Sequence, residues 1–131
     1  MIVVDTSALF AIAAMENERA IFTDILDAEK GLMSAVNYVE SVMVLTGRSR
    51  QVATEKVDEL VQAFGIEIVS IDRRLTNATI DAFDQYGKSR HAARLNLADC
   101  FSYALARSRN LPLLFKGDDF LKTDVVPAWR P

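Results

Sequence analysis

The chain begins with Met1-Ile2-Val3-Val4-Asp5-Thr6-Ser7-Ala8-Leu9, and the rest of its sequence is organised around this segment. Its apolar run Ile2-Val3-Val4 is typical of a strand buried on both faces in a parallel sheet. Such a strand delivers Asp5 to the carboxyl edge of the sheet, where open α/β folds place their sites. Thr6 or Ser7 is expected to cap the helix that follows. Asp5 is then either a functional carboxylate or an ordinary cap or turn residue, and this stretch leaves both interpretations open.

Outward from this stretch, short apolar strands alternate with helices. Further strands are predicted around 32–34, 66–71 and 111–115, with a final edge strand at Val125-Val126. This alternation indicates an α/β sandwich, with a mostly parallel central sheet and helices on both faces. With 131 residues and no linker or repeat, we expect a single domain over 1–131. The basic tail Arg48-Ser49-Arg50 is attributed to the dipole of the helix before it.

Composition excludes several classes of protein. The chain has 15 Lys and Arg against 18 Asp and Glu, and its net charge of −3 argues against nucleic-acid binding through overall basicity. Its single cysteine permits no intrachain disulfide and fits a reducing cytoplasm. No signal peptide precedes the first strand, and no apolar run reaches the ~20 residues of a membrane span. We therefore expect a cytoplasmic protein with no membrane segment.

Glu40 lies in a helix predicted over 35–46. At ~100° per residue, Glu40 falls within an apolar face formed by Val36, Val39, Met43 and Val44. A carboxylate on the apolar side of a helix is costly unless it is paired or bound to a cation. The alternative is that Glu40 lies at the edge of this face and reaches water.

Asp99 lies in a largely apolar helix that Asn96 opens. A helix that is apolar nearly all round is a buried one, so a carboxylate on it needs a partner. The structural alternative is that Asn96 is the N-cap and that Asp99, near the third helical position, complements the helix dipole. The residues alone favour neither interpretation.

Asp118 and Asp119 follow the strand at 111–115, as Asp5 follows the first strand. Taken alone, this Gly-Asp-Asp stretch favours an ordinary turn. Asp5 and Asp118-Asp119 follow two strands, however, and Glu40 and Asp99 lie on two helices. All of these acids can therefore converge at one edge of the sheet. Like charges crowded there raise one another's pKa unless a cation lies between them.

The residue types indicate which cation that is. Mg²⁺ and Mn²⁺ prefer oxygen ligands, and the sequence offers no cysteine or histidine cluster, since His91 is its only histidine. With carboxylates and water as the available groups, the predicted chemistry is metal-assisted hydrolysis of a phosphodiester.

The order and context of these acids resemble the PIN-domain ribonucleases, and most closely the VapC toxins of bacterial toxin–antitoxin pairs. The resemblance covers essentially the whole chain and rests on Asp5-Thr6-Ser7-Ala8, on Glu40 with Val44-Leu45, on Asn96 through Asp99 to Ala106, and on Gly117-Asp118-Asp119-Phe120. It implies a PIN-like fold and a Mg²⁺- or Mn²⁺-dependent endoribonuclease. It also implies a VapB-type antitoxin as partner and a homodimer.

The same resemblance implies roles for single residues. Asp5 and Asp99 become the main metal ligands, and Glu40 completes the acidic triad. The fourth acid is Asp119, with Asp118 as its variable neighbour. The supporting residues are Thr6 and Ser7, either of which would orient the Asp5 carboxylate.

An RNA-cutting enzyme needs positive charge near its site, since phosphate contacts dominate affinity. The candidates are Lys88, Arg90, Arg94 and Lys116, and a solvated loop is an equal alternative for the first three. In the family, an amphipathic antitoxin segment covers the toxin and places a basic side chain among the carboxylates. The second helix and the 35–46 helix are the expected docking surfaces.

Two other classes remain as alternatives. A phosphohydrolase with an aspartate nucleophile needs a second acid two positions after Asp5, where this chain has Ser7. A receiver-like module should show paired acids near the first strand and a lysine ending a late strand; Lys116 imitates the latter, but Asp5 has no acidic neighbour. A PIN domain that holds an ion without catalysis also remains open.

Overall fold

The computed structural model describes residues 1–47 and 49–131, so Arg48 of the predicted basic tail lies outside the described residues. Within these ranges the strands are β1 (Ile2–Val4), β2 (Gly31–Ser34), β3 (Glu67–Val69) and β4 (Leu113–Leu114). The helices are α1 (Thr6–Ala13), α2 (Arg19–Ala28), α3 (Ala35–Leu45), α4 (Arg50–Ala63), α5 (Arg73–Tyr86) and α6 (Leu97–Arg109). A 3₁₀ turn covers Asp119–Lys122.

The strands form one sheet in the order β3-β2-β1-β4, and each neighbouring pair is parallel. The side chains of β1 alternate between two cores, as the pleat requires. Val3 packs into a core that includes residues of α5 and α6, whereas Ile2 and Val4 pack into a core that includes residues of α1, α2 and α4. The predicted α/β sandwich, with helices on both faces of a parallel sheet, is confirmed.

The predicted edge strand at Val125-Val126 is wrong. The tail forms only an isolated parallel bridge between Leu113 and Pro127. The carbonyl of Val126 accepts a hydrogen bond from the amide of Leu113, whose carbonyl accepts one from the amide of Ala128. The two bonds use the residues on either side of Pro127, whose missing N–H faces away from β4, so this proline suits the outer side of an edge segment.

This topology brings the carboxyl ends of the parallel strands, and the segments that follow them, to one edge of the sheet. β1 runs into α1, β2 runs into α3, and the 3₁₀ turn follows β4. The start of α6 reaches the same edge, where the carbonyl of Ala98 accepts a hydrogen bond from α3. Among the described helices, none is both long enough and apolar enough to cross a membrane.

Candidate metal centre

Asp5 is the N-cap of α1 and is almost fully buried, with 2% of its surface exposed. Its Oδ2 accepts hydrogen bonds from the backbone N–H of Ser7 at 3.0 Å and from the Ser7 hydroxyl at 2.6 Å. Its Oδ1 accepts one from the hydroxyl of Ser102 at 2.5 Å. A carboxylate offers about four lone-pair directions, so these bonds fix the group and still leave room for a ligand.

Asp5 is therefore a helix cap, as one of its two interpretations held. The prediction that Thr6 or Ser7 caps this helix is wrong. Both residues lie inside α1, because the Asp5 carboxylate already takes the free N–H at the start of this helix. The Ser7 hydroxyl instead donates to Asp5, and its oxygen accepts a hydrogen bond from the backbone N–H of Lys116 at 3.0 Å. Ser7 thereby links the end of β4 to the carboxylate that ends β1.

Glu40 lies on a face of α3 that is turned to solvent, contrary to prediction. Val39, Met43 and Val44 are 54%, 68% and 48% exposed, respectively. The fully buried positions of α3 are the polar residues Asn37 and Ser41. The helical-wheel argument placed the apolar face inward. The buried side instead carries Asn37, which bonds to neighbouring elements, and Ser41, whose hydroxyl bonds to the Asn37 carbonyl within α3.

The carboxyl group of Glu40 is nevertheless partly buried, and its electrostatics reflect its neighbours. Burial raises the pKa of Glu40, and the charge of Asp5 adds to this effect. A hydrogen bond with Thr6 acts in the opposite direction. Glu40 thus faces Asp5 and Thr6 although the rest of its helix face is open.

Asp99 has the structural role that the sequence left as one of two alternatives. The backbone N–H of Asp99 donates to Oδ1 of Asn96 at 2.9 Å, and the N–H of Asn96 donates to Oδ2 of Asp99 at 3.0 Å. This capping box opens α6. It engages only one carboxylate oxygen of Asp99 and leaves Oδ1 available to a ligand.

The pKa of Asp99 is strongly perturbed. Burial and, after it, the charges of Asp5, Glu40 and Asp119 together raise it to about 7, against the opposing effect of the hydrogen bond with Asn96. A carboxyl group with such an elevated pKa, surrounded by other carboxylates, lacks a compensating positive charge. A cation bound among these groups would supply it.

Three of the predicted acids line one open cavity of about 520 Å³, namely Asp5, Glu40 and Asp99. Asp119 is exposed and is absent from this lining, but its charge acts on Asp99. Asp118 instead borders a separate cavity beside Trp129. The structure therefore brings three acids together, places Asp119 within their electrostatic reach, and turns Asp118 towards another surface.

This set of donors fits a hard divalent cation in its chemistry, because it consists of carboxylates with unused lone pairs around a solvent-accessible space. Across residues 1–47 and 49–131, no three acidic, histidine or cysteine side chains already stand close enough to enclose an ion. An ion held here would have one or two of these carboxylates and water as ligands, or a third acid after its side chain rotates inward. Exposed side chains such as that of Asp119 change rotamer within nanoseconds.

Lys116 also lines the acidic cavity, but its ammonium group is occupied. Its Nζ lies 2.7 Å from Oε2 of Glu16 and 3.1 Å from Oε2 of Glu18. Hydrogen bonds with these glutamates raise the pKa of Lys116, and its own hydrogen bond lowers that of Glu18. As it stands, Lys116 neutralises two rim carboxylates rather than offering a free charge to RNA.

The other predicted RNA contacts lie in the exposed loop before α6. The guanidinium of Arg90 lies 5.5 Å from the centre of the Phe83 ring and 4.0 Å from Oδ1 of Asp84. Lys88 and Arg94 are exposed, and neither they nor Arg90 line the acidic cavity. These three residues flank the approach to α6 and do not reach the acids.

Two residues of the site were missed at the level of sequence, namely Ser102 and Asn37. Both were detectable by helical spacing, since each lies three positions from an acid on the same helix, Ser102 after Asp99 and Asn37 before Glu40. Residues at this spacing share a helix face. Nothing in the sequence, however, indicates that Ser102 bonds Asp5, the acid of another element.

Comparisons with family models and with curated proteins agree on one family. The model of the PIN domain matches residues 2–126. A VapC ribonuclease of Mycobacterium bovis is 41% identical over 128 residues, covering 96% of this chain and 98% of that protein. Ribonuclease VapC30 of Mycobacterium tuberculosis is 36% identical over 130 residues, covering 98% of this chain and 99% of that protein.

Solved structures share the fold at lower identity. VapC20 of M. tuberculosis, described as a toxin that cleaves the sarcin–ricin loop, superposes with a TM-score of 0.75 at 17% identity, covering 96% of this chain and 97% of that one. FitAcB of Neisseria gonorrhoeae superposes with a TM-score of 0.69 at 22% identity, covering 97% and 96%. A toxin–antitoxin complex from Klebsiella pneumoniae superposes at 0.70 and 17% identity, covering 96% and 95%.

Proposed function

The chain belongs to the PIN-domain family, and from this premise we propose that it uses a divalent cation, Mg²⁺ or Mn²⁺, to hydrolyse RNA. Its function is that of a VapC ribonuclease, the toxin of a toxin–antitoxin pair. The observation that carries the metal requirement is the shared cavity of Asp5, Glu40 and Asp99. We also propose that the enzyme acts in the cytoplasm, where RNA is found.

In this proposal the acids divide two tasks. Asp5, fixed by Ser7 and Ser102, and the free oxygen of Asp99 hold the cation. The cation, when bound, supplies activation of water and neutralisation of charge on the phosphate. Glu40 accepts the proton of the attacking water, for which its raised pKa is suited, because a general base works best near the pH of reaction.

Asp119 is proposed as the fourth acid. It is exposed, its charge acts on Asp99, and its position in the 3₁₀ turn after β4 leaves its side chain able to turn towards the cavity. Asp118 is exposed as well, but it borders a separate cavity and its charge is not among those that raise the pKa of Asp99. Lys88, Arg90 and Arg94 are proposed to hold RNA phosphates outside the cavity, in keeping with the salt-sensitive contacts that dominate such binding.

The partner is proposed to be a VapB-type antitoxin, bound along an apolar groove of about 490 Å³ between α3 and the start of α6. This groove includes Val36, Val39, Met43 and Leu97. Glu40 borders both the groove and the acidic cavity. An amphipathic segment lying in the groove could therefore place a basic side chain among the acids, where it would compete with the metal.

The homodimer implied by the family resemblance is likewise a proposal. A second copy of the chain could cover the same exposed face of α3. A single substitution on this face therefore tests both antitoxin binding and dimer formation. Light scattering of the partner-free protein measures the dimer directly.

The experiment that tests the enzyme is RNA cleavage by the chain purified free of any partner, with and without Mg²⁺ or Mn²⁺. Cleavage that requires the metal supports the proposal. Binding of metal by the folded protein without cleavage of any RNA favours the alternative, a non-catalytic metal-binding PIN module.

A further inference from the structure

The side chain of Asn37 is fully buried, and both ends of its amide are hydrogen-bonded. Its Oδ1 accepts from the hydroxyl of Ser34 at 2.5 Å, and its Nδ2 donates to Oγ1 of Thr6 at 3.3 Å and to the carbonyl of Ala98 at 3.1 Å. The opposite amide orientation would point an oxygen at the Ala98 carbonyl, so these partners fix the assignment.

Two of the three partners of the Asn37 side chain, Thr6 and Ala98, lie beside a carboxylate of the proposed site. Thr6 follows Asp5 directly, and Ala98 precedes Asp99 directly. Glu40 comes one turn after Asn37 on α3. The amide therefore joins the three elements that carry the acids, although Thr6 and Ala98 are 31 and 61 positions away from it in sequence.

Asn37 holds the hydroxyl of Thr6 from two sides. Thr6 Oγ1 accepts a hydrogen bond from the side-chain amide of Asn37, and the same hydroxyl donates to the backbone carbonyl of Asn37 at 3.3 Å. Thr6, the residue after Asp5, is therefore tied to α3 through both its donor and its acceptor.

An ordinary packing role does not require such a residue. Apolar side chains of the same volume hold helices together as well as a buried polar network does, and often better. A network with all its members satisfied instead fixes one arrangement of the elements it joins. At this position the arrangement in question is the spacing of the carboxylates.

We infer that Asn37 is a positioning residue for the metal centre, which sets the mutual placement of Asp5, Glu40 and Asp99 and hence the affinity for a divalent cation. This inference rests on the proposed function, since it assumes that the acids bind metal. Asn37 itself touches neither the cation nor the substrate.

The test compares Mn²⁺ binding by wild-type protein, Asn37→Leu and a matched control, Thr79→Val, by isothermal titration calorimetry. Thr79 is also buried, and its hydroxyl donates to the carbonyl of Leu75 at 2.8 Å within α5, away from the acids. Asn37→Leu loses three buried side-chain hydrogen bonds and Thr79→Val loses one, so both variants are expected to melt at lower temperature, the first more so. Only Asn37→Leu is expected to bind Mn²⁺ more weakly, by ~10-fold or more.

The outcomes separate the inference from the function on which it rests. Equal Mn²⁺ affinity of Asn37→Leu and wild type, or equal weakening in Thr79→Val, overturns the positioning role and leaves the enzyme intact. Absence of Mn²⁺ binding in the wild type overturns the metal proposal and the inference with it. If Asn37→Leu does not fold, Asn37→Thr, which keeps one donor, is measured in its place and is expected to show an intermediate affinity.

Discussion

The hydroxyl of Ser102 donates a hydrogen bond of 2.5 Å to Oδ1 of Asp5, and so joins two residues that are 97 positions apart. Ser102 lies one turn after Asp99 on α6, and Asp5 ends the central strand. This contact therefore ties the helix that carries one acid to the side chain of another.

Ser102→Ala is expected to weaken Mn²⁺ binding by ~10-fold, because one oxygen of Asp5 loses the donor that orients it. The free energy of unfolding should fall by about 1 kcal/mol, the usual cost of one hydrogen bond. Calorimetric titration and urea denaturation measure the two effects. The hydroxyl would be shown to have only a packing role if stability fell while Mn²⁺ affinity stayed at the wild-type value.

Asp99 makes the metal-free protein less stable as pH rises. Its pKa is raised to about 7 in the folded protein, so the folded state binds more protons than the unfolded state between about pH 4 and 7. The free energy of unfolding therefore decreases over this interval. Above it, the charged carboxylate is held in an unfavourable environment.

Asp99→Asn removes this charge and keeps an oxygen for the capping box. In EDTA the variant is expected to match wild type near pH 4 and to exceed its free energy of unfolding by about 2 kcal/mol at pH 8. Denaturation at a series of pH values provides the comparison, and added Mn²⁺ should stabilise only the wild type. A difference that did not vary with pH would contradict the assigned environment of Asp99.

Lys116 is expected to act by neutralising Glu16 and Glu18, to which its ammonium is bound. Lys116→Met leaves these carboxylates uncompensated at the rim of the cavity, so KM for RNA should rise several-fold at low salt and less at high salt. Adding Glu16→Gln and Glu18→Gln should restore KM. If Lys116 instead contacts phosphate directly, the triple variant stays as weak as Lys116→Met.

Met43→Lys is expected to abolish binding of the antitoxin and to leave thermal stability unchanged, because Met43 is 68% exposed in the proposed groove. Co-purification with the antitoxin and light scattering give the result. Lys56→Met, an exchange on α4 outside this groove, is the control. Loss of the dimer with retained antitoxin binding would assign the face to a second copy of the chain, and no change in either would remove it as an interface.

The sequence predicts some parts of this structure well, above all the sheet, and others poorly, above all helix α3. The run Ile2-Val3-Val4 and the alternation of strands and helices were sufficient for the sandwich, because burial on both faces leaves a strong apolar signal. They were not sufficient for α3, where the apolar face is exposed and Asn37 is buried. Hydropathy describes which face avoids water in isolation, and it cannot anticipate that a polar network fills the buried side of α3 while apolar side chains stay exposed.

The site shows the same division. Strand ends place Asp5 and Asp119 at one edge without knowledge of tertiary structure, and helical spacing relates Asp99 to Ser102. The pairing of Lys116 with Glu16 brings together residues 100 positions apart, and no local pattern contains it. The cap and ligand interpretations of Asp99, which the sequence set against each other, prove compatible because the capping box uses only one of its oxygens.

The acids that line one cavity are proposed to hold the cation with which the protein cuts RNA. The most direct measurement is the cleavage rate of partner-free protein on a labelled RNA with Mn²⁺, for wild type, Asp99→Asn and Asp118→Asn, with EDTA as a further control. Cleavage by wild type and Asp118→Asn at comparable rates, with a loss of ~100-fold or more in Asp99→Asn and in EDTA, is the predicted result. Cleavage that persists in EDTA, or that Asp99→Asn retains, would contradict the account.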